Sequence, residues 1–118
     1  MVKYRSKYEA RIAKNSPNTI KYEPIKIEWL PPTKKYTPDF QLPNGIIVEA
    51  KGRFRTAEER TKMICVRDQN PHLDIRFLFM KADVKLYKGS KSDHGEWATK
   101  NGFKWAEGDK IPYAWIRE

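Results

Sequence analysis

The apolar positions of the chain fall into short runs of two different periods. Tyr4, Tyr8, Ile12 and Ala13 recur at helical spacing, which predicts an amphipathic helix over residues 2–15. Its outer side carries Arg5, Lys7, Arg11 and Lys14, and Asn15-Ser16-Pro17 ends it. Over residues 18–29 the period falls toward two, with Ile20, Tyr22, Ile25, Ile27 and Trp29 apolar and a phase break at Pro24. An extended strand is predicted there; Pro24 has no N–H to give to a ladder, so the strand cannot be an undisturbed central one. Pro31-Pro32 then stiffens a linker. Two strand-like runs follow, joined by Pro43-Asn44-Gly45, and Thr56-Ala57-Glu58-Glu59 is a capping box opening a helix that Asn70-Pro71 closes. Met63 and Val66 give that helix its inward side. Residues 73–80 read as a central strand, and a helix between two strands predicts a right-handed crossover with the strands parallel. Residues 81–92 read as a loop, 95–100 as a short helix stopped by Asn101-Gly102, 103–105 as a strand, and Ile111-Pro112 to Trp115-Ile116 as a closing segment whose aromatics cap the sheet. The expected fold class is α/β, a mixed sheet flanked by helices, in one domain over residues 1–118 with a helix (1–17), a bridge strand and linker (18–35) and a core (36–118).

The turn at Pro43-Asn44-Gly45 fixes more than a hairpin. Proline presets φ near −65° and glycine takes the left-handed conformation without steric cost. A two-residue loop would set Phe40 opposite Glu49, mixing an aromatic into a row of charge. A three-residue loop, with Gly45 forming a bulge, sets Asp39 opposite Glu49 and separates the faces. Phe40, Leu42, Ile46, Val48 and Ala50 then share one face, and Asp39, Gln41, Ile47, Glu49 and Lys51 the other. The second register is expected.

Directly opposed residues stand about 4.5–5.5 Å apart at Cα, so two carboxylates would converge on one spot with Lys51 beside them. Converging carboxylates repel unless a divalent cation lies between them, and hard oxygen ligands suit Mg²⁺ or Mn²⁺. An ammonium on the same face can assist a water or stabilise charge on a phosphate. The same three residues also make an ordinary solvated hairpin face with a weak cross-strand ion pair. Spacing alone favours that second reading.

Charge adds a polyanionic partner. The chain carries 24 Lys and Arg against 15 Asp and Glu, a net charge of +9, and basic residues that neutralise phosphates release counterions. They are scattered along the chain instead of gathered on one amphipathic helix, which favours nucleic acid over a membrane surface. The four Trp and the other aromatics follow no RNP-like or repeated basic-aromatic pattern, so they are assigned to the core. The single Cys65 excludes an intrachain disulfide and reads as core filler in its helix. With no signal peptide or long apolar run, the expected compartment is a reducing cytoplasm. His72 and His94 lack metal-ligand spacing and are expected at the surface.

Context around the hairpin changes the balance. Pro38 precedes Asp39, the run Ile46-Ile47-Val48 feeds Glu49, and Gly52 follows Lys51. The stretch resembles the PD-(D/E)xK nuclease signature, and in detail YTPDF…LPNGI.VE.KG is similar to the bacteriophage endonuclease I family of Holliday-junction resolvases. Two further stretches carry the likeness. RSKYEARI resembles the family's first helix, whose Glu completes the metal site; this gives Glu9, otherwise a lone helical surface acid, a catalytic and metal-binding role. KLYKGS matches the family closely, with Lys85, Lys88 and Gly89 either near a DNA phosphate or on a solvated basic turn. The resemblance runs from Arg5 to Ile116. It implies an intertwined homodimer exchanging elements across the proline-marked bridge, Mg²⁺-dependent cleavage of branched DNA with Mn²⁺ able to substitute, and Glu9, Asp39, Glu49 and Lys51 as the catalytic set. Glu9, Asp39 and Glu49 would hold the metal. Arg5, Lys7, Arg11, Arg53, Arg55, Lys85 and Lys88 are the expected DNA contacts.

The leading expectation is a phage-encoded enzyme of the host cytoplasm that cuts opposed strands near the branch point of four-way junctions, leaving 5′-phosphate and 3′-hydroxyl ends. No membrane and no nucleotide cofactor are expected among its partners. A nicking or homing-type endonuclease on the same scaffold is the alternative enzyme, and a non-catalytic DNA-binding module the alternative from another class. A binding module has no use for convergent carboxylates facing a polyanion. Relative to the family, the chain begins close to the first helix and stops at Glu118, without a long N-terminal extension or basic C-terminal tail, which implies weaker or less junction-selective binding.

Overall fold

The computed structural model describes residues 4–29 and 34–118. The chain runs α1 (Lys7–Lys14), β1 (Lys21–Tyr22), β2 (Ile27–Trp29), β3 (Lys34–Tyr36), β4 (Phe40–Gln41), β5 (Ile47–Lys51), α2 (Ala57–Gln69), β6 (Ile75–Phe79), α3 (His94–Lys100), β7 (Trp105–Glu107) and α4 (Tyr113–Ile116). A five-stranded sheet of order β1-β4-β5-β6-β7 is antiparallel through β5 and parallel from β5 to β7. The mixed α/β sheet and the parallel β5–β6 pair are as the pattern predicts. No described helix is long and apolar enough to cross a membrane.

The hairpin turn has the predicted register. Phe40 pairs with Val48 and Gln41 with Ile47, Leu42 N donates to Ile46 O at 2.8 Å, and Gly45 N to Leu42 O at 2.9 Å. Gly45 sits at φ +92°, a conformation that a side chain resists. Alternation then sorts the sheet into two cores. Ile47, Phe77 and Phe79 pack under α2 and α3 with Phe54, Met63, Val66, Trp97 and Phe103. Phe40, Val48, Ala50 and Leu78 pack under α1 with Tyr8 and Ile12. Phe77 is fully buried, and its ring meets those of Phe54, Phe79, Trp97 and Phe103 at centroid distances of 5.0–5.7 Å. Phe77→Ala is expected to cost about 3–5 kcal/mol, read as a lowered urea midpoint with unchanged slope.

Local signals explain the helix ends. Ser6 caps α1 by accepting Glu9 N, so the helix starts at Lys7, well inside the predicted span, and residues 1–3 lie outside those described. Thr56 accepts Glu59 N as expected, whereas the Glu59 carboxylate reaches Arg55 N at 2.7 Å, one residue before the cap. Asp93 and Glu96 form a reciprocal capping box on α3. Gly95 in that helix is required by Trp105: a Cβ there would stand 2.7 Å from the indole.

Four expectations are corrected. The single strand over 18–29 is two, because Glu23 adopts φ 45° just before Pro24 and ends β1. The second piece, β2, pairs with β3 in a separate two-stranded sheet that the sequence pattern did not announce; Pro31-Pro32 between them lies outside the described residues. The strand expected at 103–105 begins at Trp105, since Phe103 N closes α3 by donating to Ala98 O at 2.8 Å. His94, expected at the surface, is fully buried in the α2/α3 core, because backbone groups take up both of its ring nitrogens. His72 is exposed.

Arg76, in the middle of β6, is 1% exposed and turns toward the α1 side. Asp74 and Glu118 grip its guanidinium, Nη2 lying 2.8 Å from Asp74 and 2.7 Å from Glu118, while Trp115 stacks 5.3 Å from it. This is why an Arg can occupy a central strand.

Candidate active site

β4 pairs with β5 for two residues, but β5 runs on to Lys51. Where the ladder stops, Asp39 stands opposite Glu49, and its Oδ2 takes the N–H of Ala50 at 2.9 Å. The side chain thereby fills the fork between the strands and is 1% exposed. Glu49 is 3% exposed, accepts the Tyr36 hydroxyl, and lies 3.5 Å from Asp39 N. The sequence argument set these two acids opposite one another on a charged face; that face is interior.

Two further acids arrive from the segment before the hairpin. Glu9, in the first turn of α1, is buried and accepts the Tyr22 hydroxyl. Glu23 N donates to Asp39 O at 2.9 Å, and its left-handed backbone turns its carboxylate into the same space. Oxygens of Glu9, Glu23 and Asp39 all lie within 4.8 Å of one another. Sequence reasoning named Glu9 and Asp39 and missed Glu23; Pro24, noted only as a break in the strand, was the available signal. Glu49 borders this trio, with its carboxylate directed to Tyr36.

Arg5 enters the cluster. Nη2 is 3.1 Å from Asp39 Oδ1 and Nε 2.9 Å from Glu23 Oε2. The second contact is at ion-pair distance without hydrogen-bond geometry, so Glu23 Oε2 is buried with no hydrogen-bond donor. The expected role of Arg5 was a DNA contact; the structure places its head group among the acids.

The electrostatics follow from burial. Desolvation first, then the charges of Glu49 and Glu9, push the Asp39 carboxyl up to about 8 from its ordinary 3.8. Desolvation also raises Glu49, opposed by Lys51 and by the Tyr36 hydroxyl. The sign is unfavourable to the bare fold: as pH rises from 3.8 toward 8, the unfolded chain gives up the Asp39 proton while the fold keeps it, and stability falls across that window. A bound cation removes that loss. Hard carboxylate oxygens this close together fit a divalent cation, which Glu9, Glu23 and Asp39 would hold with Glu49 adjacent and with Arg5 as the cation now beside them.

Lys51 stands at the end of β5 and lines two grooves. One, of about 350 Å³, is lined by Glu49 with Arg5, Lys35, Tyr36 and Lys62; the other, of about 590 Å³, by Glu9 with Arg53, Arg55 and Met80. Lys62 lies over Tyr36 at 5.5 Å, and burial lowers its pKa against the opposing pull of Glu49. Arg53 and Arg55 are thus beside the site. Lys7 and Arg11 are exposed on α1, Arg11 lying 5.6 Å from the Tyr8 ring. Lys85 and Lys88 are exposed on the 81–92 loop, where Lys85 Nζ reaches Lys91 O at 3.4 Å; they are not among the described residues lining either groove.

A fork in a mixed sheet holding buried acids beside a lysine, flanked by basic grooves, suits hydrolysis of a polyanion's backbone, and relatives agree in kind. The chain is 41% identical over 120 residues to "Endonuclease I" of Escherichia phage T7, covering 98% of this chain and 79% of that protein. It is 39% identical over 120 residues to "Endodeoxyribonuclease 1" of Enterobacteria phage T3, covering 98% and 78%. The phage endonuclease I family matches residues 1–118 from end to end, and the chain belongs to that family.

Proposed function

We propose that this chain is a divalent-metal-dependent DNA endonuclease of the PD-(D/E)xK type that resolves four-way junctions and other branched DNA. The observation that carries the reading is the cluster of buried Glu9 and Asp39 with half-buried Glu23, beside Glu49 and Lys51, opening between two grooves that carry basic residues. The T3 relative is named an endodeoxyribonuclease, which supports DNA as the polymer. Arg53 and Arg55 steer the backbone toward the fork, the acids hold the metal and the attacking water, and the Lys51 ammonium stabilises charge on the phosphate in the transition state. When bound, Mg²⁺ or Mn²⁺ supplies Lewis acidity and lowers the pKa of a coordinated water. The products are a 5′-phosphate and a 3′-hydroxyl.

The same reading includes an intertwined homodimer acting in the host cytoplasm. Residues 4–22 meet the remainder through the packing of Tyr8 and Ile12 on Phe40, Val48 and Leu78, the β1–β4 pair, the Tyr8 hydroxyl to Gly108 O, and the acid cluster. Each of these contacts can be met by a partner's copy in an exchange across the bridge of residues 18–35.

Incubating a labelled four-way junction and a matched linear duplex with protein, in Mg²⁺ or in EDTA, tests the activity on gels. Cleavage confined to the junction and to Mg²⁺ or Mn²⁺ is expected, with Ca²⁺ supporting binding without efficient cutting. Activity in EDTA would sink the metal assignment. Junction affinity should fall steeply with salt, the log–log slope counting the phosphates neutralised.

A further inference from the structure

His94 stands outside the acid cluster, in the opposite core, and nothing in the proposed chemistry uses it. Its Nε2 lies 2.9 Å from the backbone N of Phe54, which can only donate, so Nε2 carries no proton. The proton of the neutral ring is then on Nδ1, 2.6 Å from Val84 O. The imidazole therefore bridges two backbone segments, one of which is the turn leaving β5. It also stacks on the Phe54 ring, with centroids 5.5 Å apart and planes 5° from parallel. Phe54 in turn carries Lys51: the ammonium lies 5.5 Å from the ring centroid, over its face.

In the turn 52–55, Gly52, Arg53 and Arg55 are exposed, and Phe54 is the one buried side chain. The backbone bond to His94 thus anchors the segment that joins Lys51 to α2, and the stack fixes the plane of the ring on which the ammonium rests. A lysine has four rotatable bonds, and an exposed one samples many positions. Catalysis by an ammonium needs it in one, since a misplacement of about 1 Å can cost on the order of 10²-fold in rate.

We propose that His94 is a positioning residue for Lys51, acting through Phe54: it fixes the ring and the turn that hold the ammonium in the groove lined by Glu49. This rests on the proposed nuclease role of Lys51, and the experiment separates the two. His94→Leu keeps the volume and removes both polar contacts. His94→Gln offers an amide oxygen to Phe54 N–H and an amide N–H to Val84 O. Both variants, the parent protein and an Asp39→Ala control are assayed on a four-way junction in saturating Mg²⁺, well below their measured Tm values. For His94→Leu, kcat should fall about 10–100-fold, the range seen for residues that orient a working group, with KM unchanged. His94→Gln should recover most of that loss. Phe54→Leu should reproduce it, and adding His94→Leu to Phe54→Leu should cost nothing further.

The second readout does not need activity. With the ammonium 5.5 Å over the Phe54 ring, the neighbouring Lys51 ε-methylene protons should resonate upfield of the other lysines in the parent and in His94→Gln. In His94→Leu they should return to the common position. If the parent cuts nothing, the nuclease reading fails while the resonance still decides the positioning. Full kcat in folded His94→Leu, or an unmoved Lys51 resonance, overturns the proposal. So does a loss of kcat that follows Tm alike in Leu and Gln.

Discussion

Asp39→Ala is expected to abolish junction cleavage, a loss of more than about 10³-fold in kcat, while junction binding in Ca²⁺ survives. The magnitude reflects how many roles the residue combines. Asp39 caps the free N–H of Ala50, meets Glu9 and Glu23 within one ion's reach, and faces Glu49 across the fork. In the proposed mechanism, removing it takes away a metal ligand and widens the space the acids share. Binding rests instead on phosphate contacts distributed over the basic surface, each worth one increment of salt dependence. Glu49→Ala and Lys51→Ala should behave alike, one through the metal site and the other through charge stabilisation of the phosphate. Competition binding and single-turnover cleavage on the same junction check this, and near-wild-type cleavage by all three variants would remove the fork from the chemistry.

The second large effect concerns where Glu9 comes from. Homodimers of Glu9→Ala and of Glu49→Ala should both be inactive, whatever the arrangement of subunits. A purified heterodimer of the two separates the arrangements. If Glu9 is supplied by the partner, both defects fall into one site and the other is wholly wild type; the heterodimer nicks one strand and cannot cut both in one encounter. If Glu9 serves its own chain, each site carries one defect and the folded heterodimer is inactive. A supercoiled plasmid with an extruded cruciform reads the difference directly, as open circles against untouched substrate.

How far sequence reached into this molecule depends on the range of the interactions involved. The turn at Pro43-Asn44-Gly45 is local chemistry, and with it came the register, the two faces and the opposition of Asp39 and Glu49. The caps at Thr56 and Asn70 are local too, and α2 lies where they set it. Other features were not legible because their causes are tertiary. Glu23 gains its meaning from a carboxylate brought alongside by the β1–β4 pair, and His94 from two backbone groups 10 and 40 residues away. Arg5 looked like one more basic residue of a basic chain, yet the nearest strong charges are the acids of its own fold. Composition pointed to a polyanionic partner and could not show which cations are already engaged.

The short β4–β5 ladder sets a limit on improving this protein. Two more paired residues would complete the hairpin and satisfy Ala50 N–H with backbone in place of the Asp39 carboxylate, which ordinary selection for heat resistance favours. Variants recovered from such a selection should therefore include ones in which the hairpin zips closed over the place where the acids gather. Their melting temperatures would rise as their turnover vanished, so a screen for durability here has to count cuts as well as survivors.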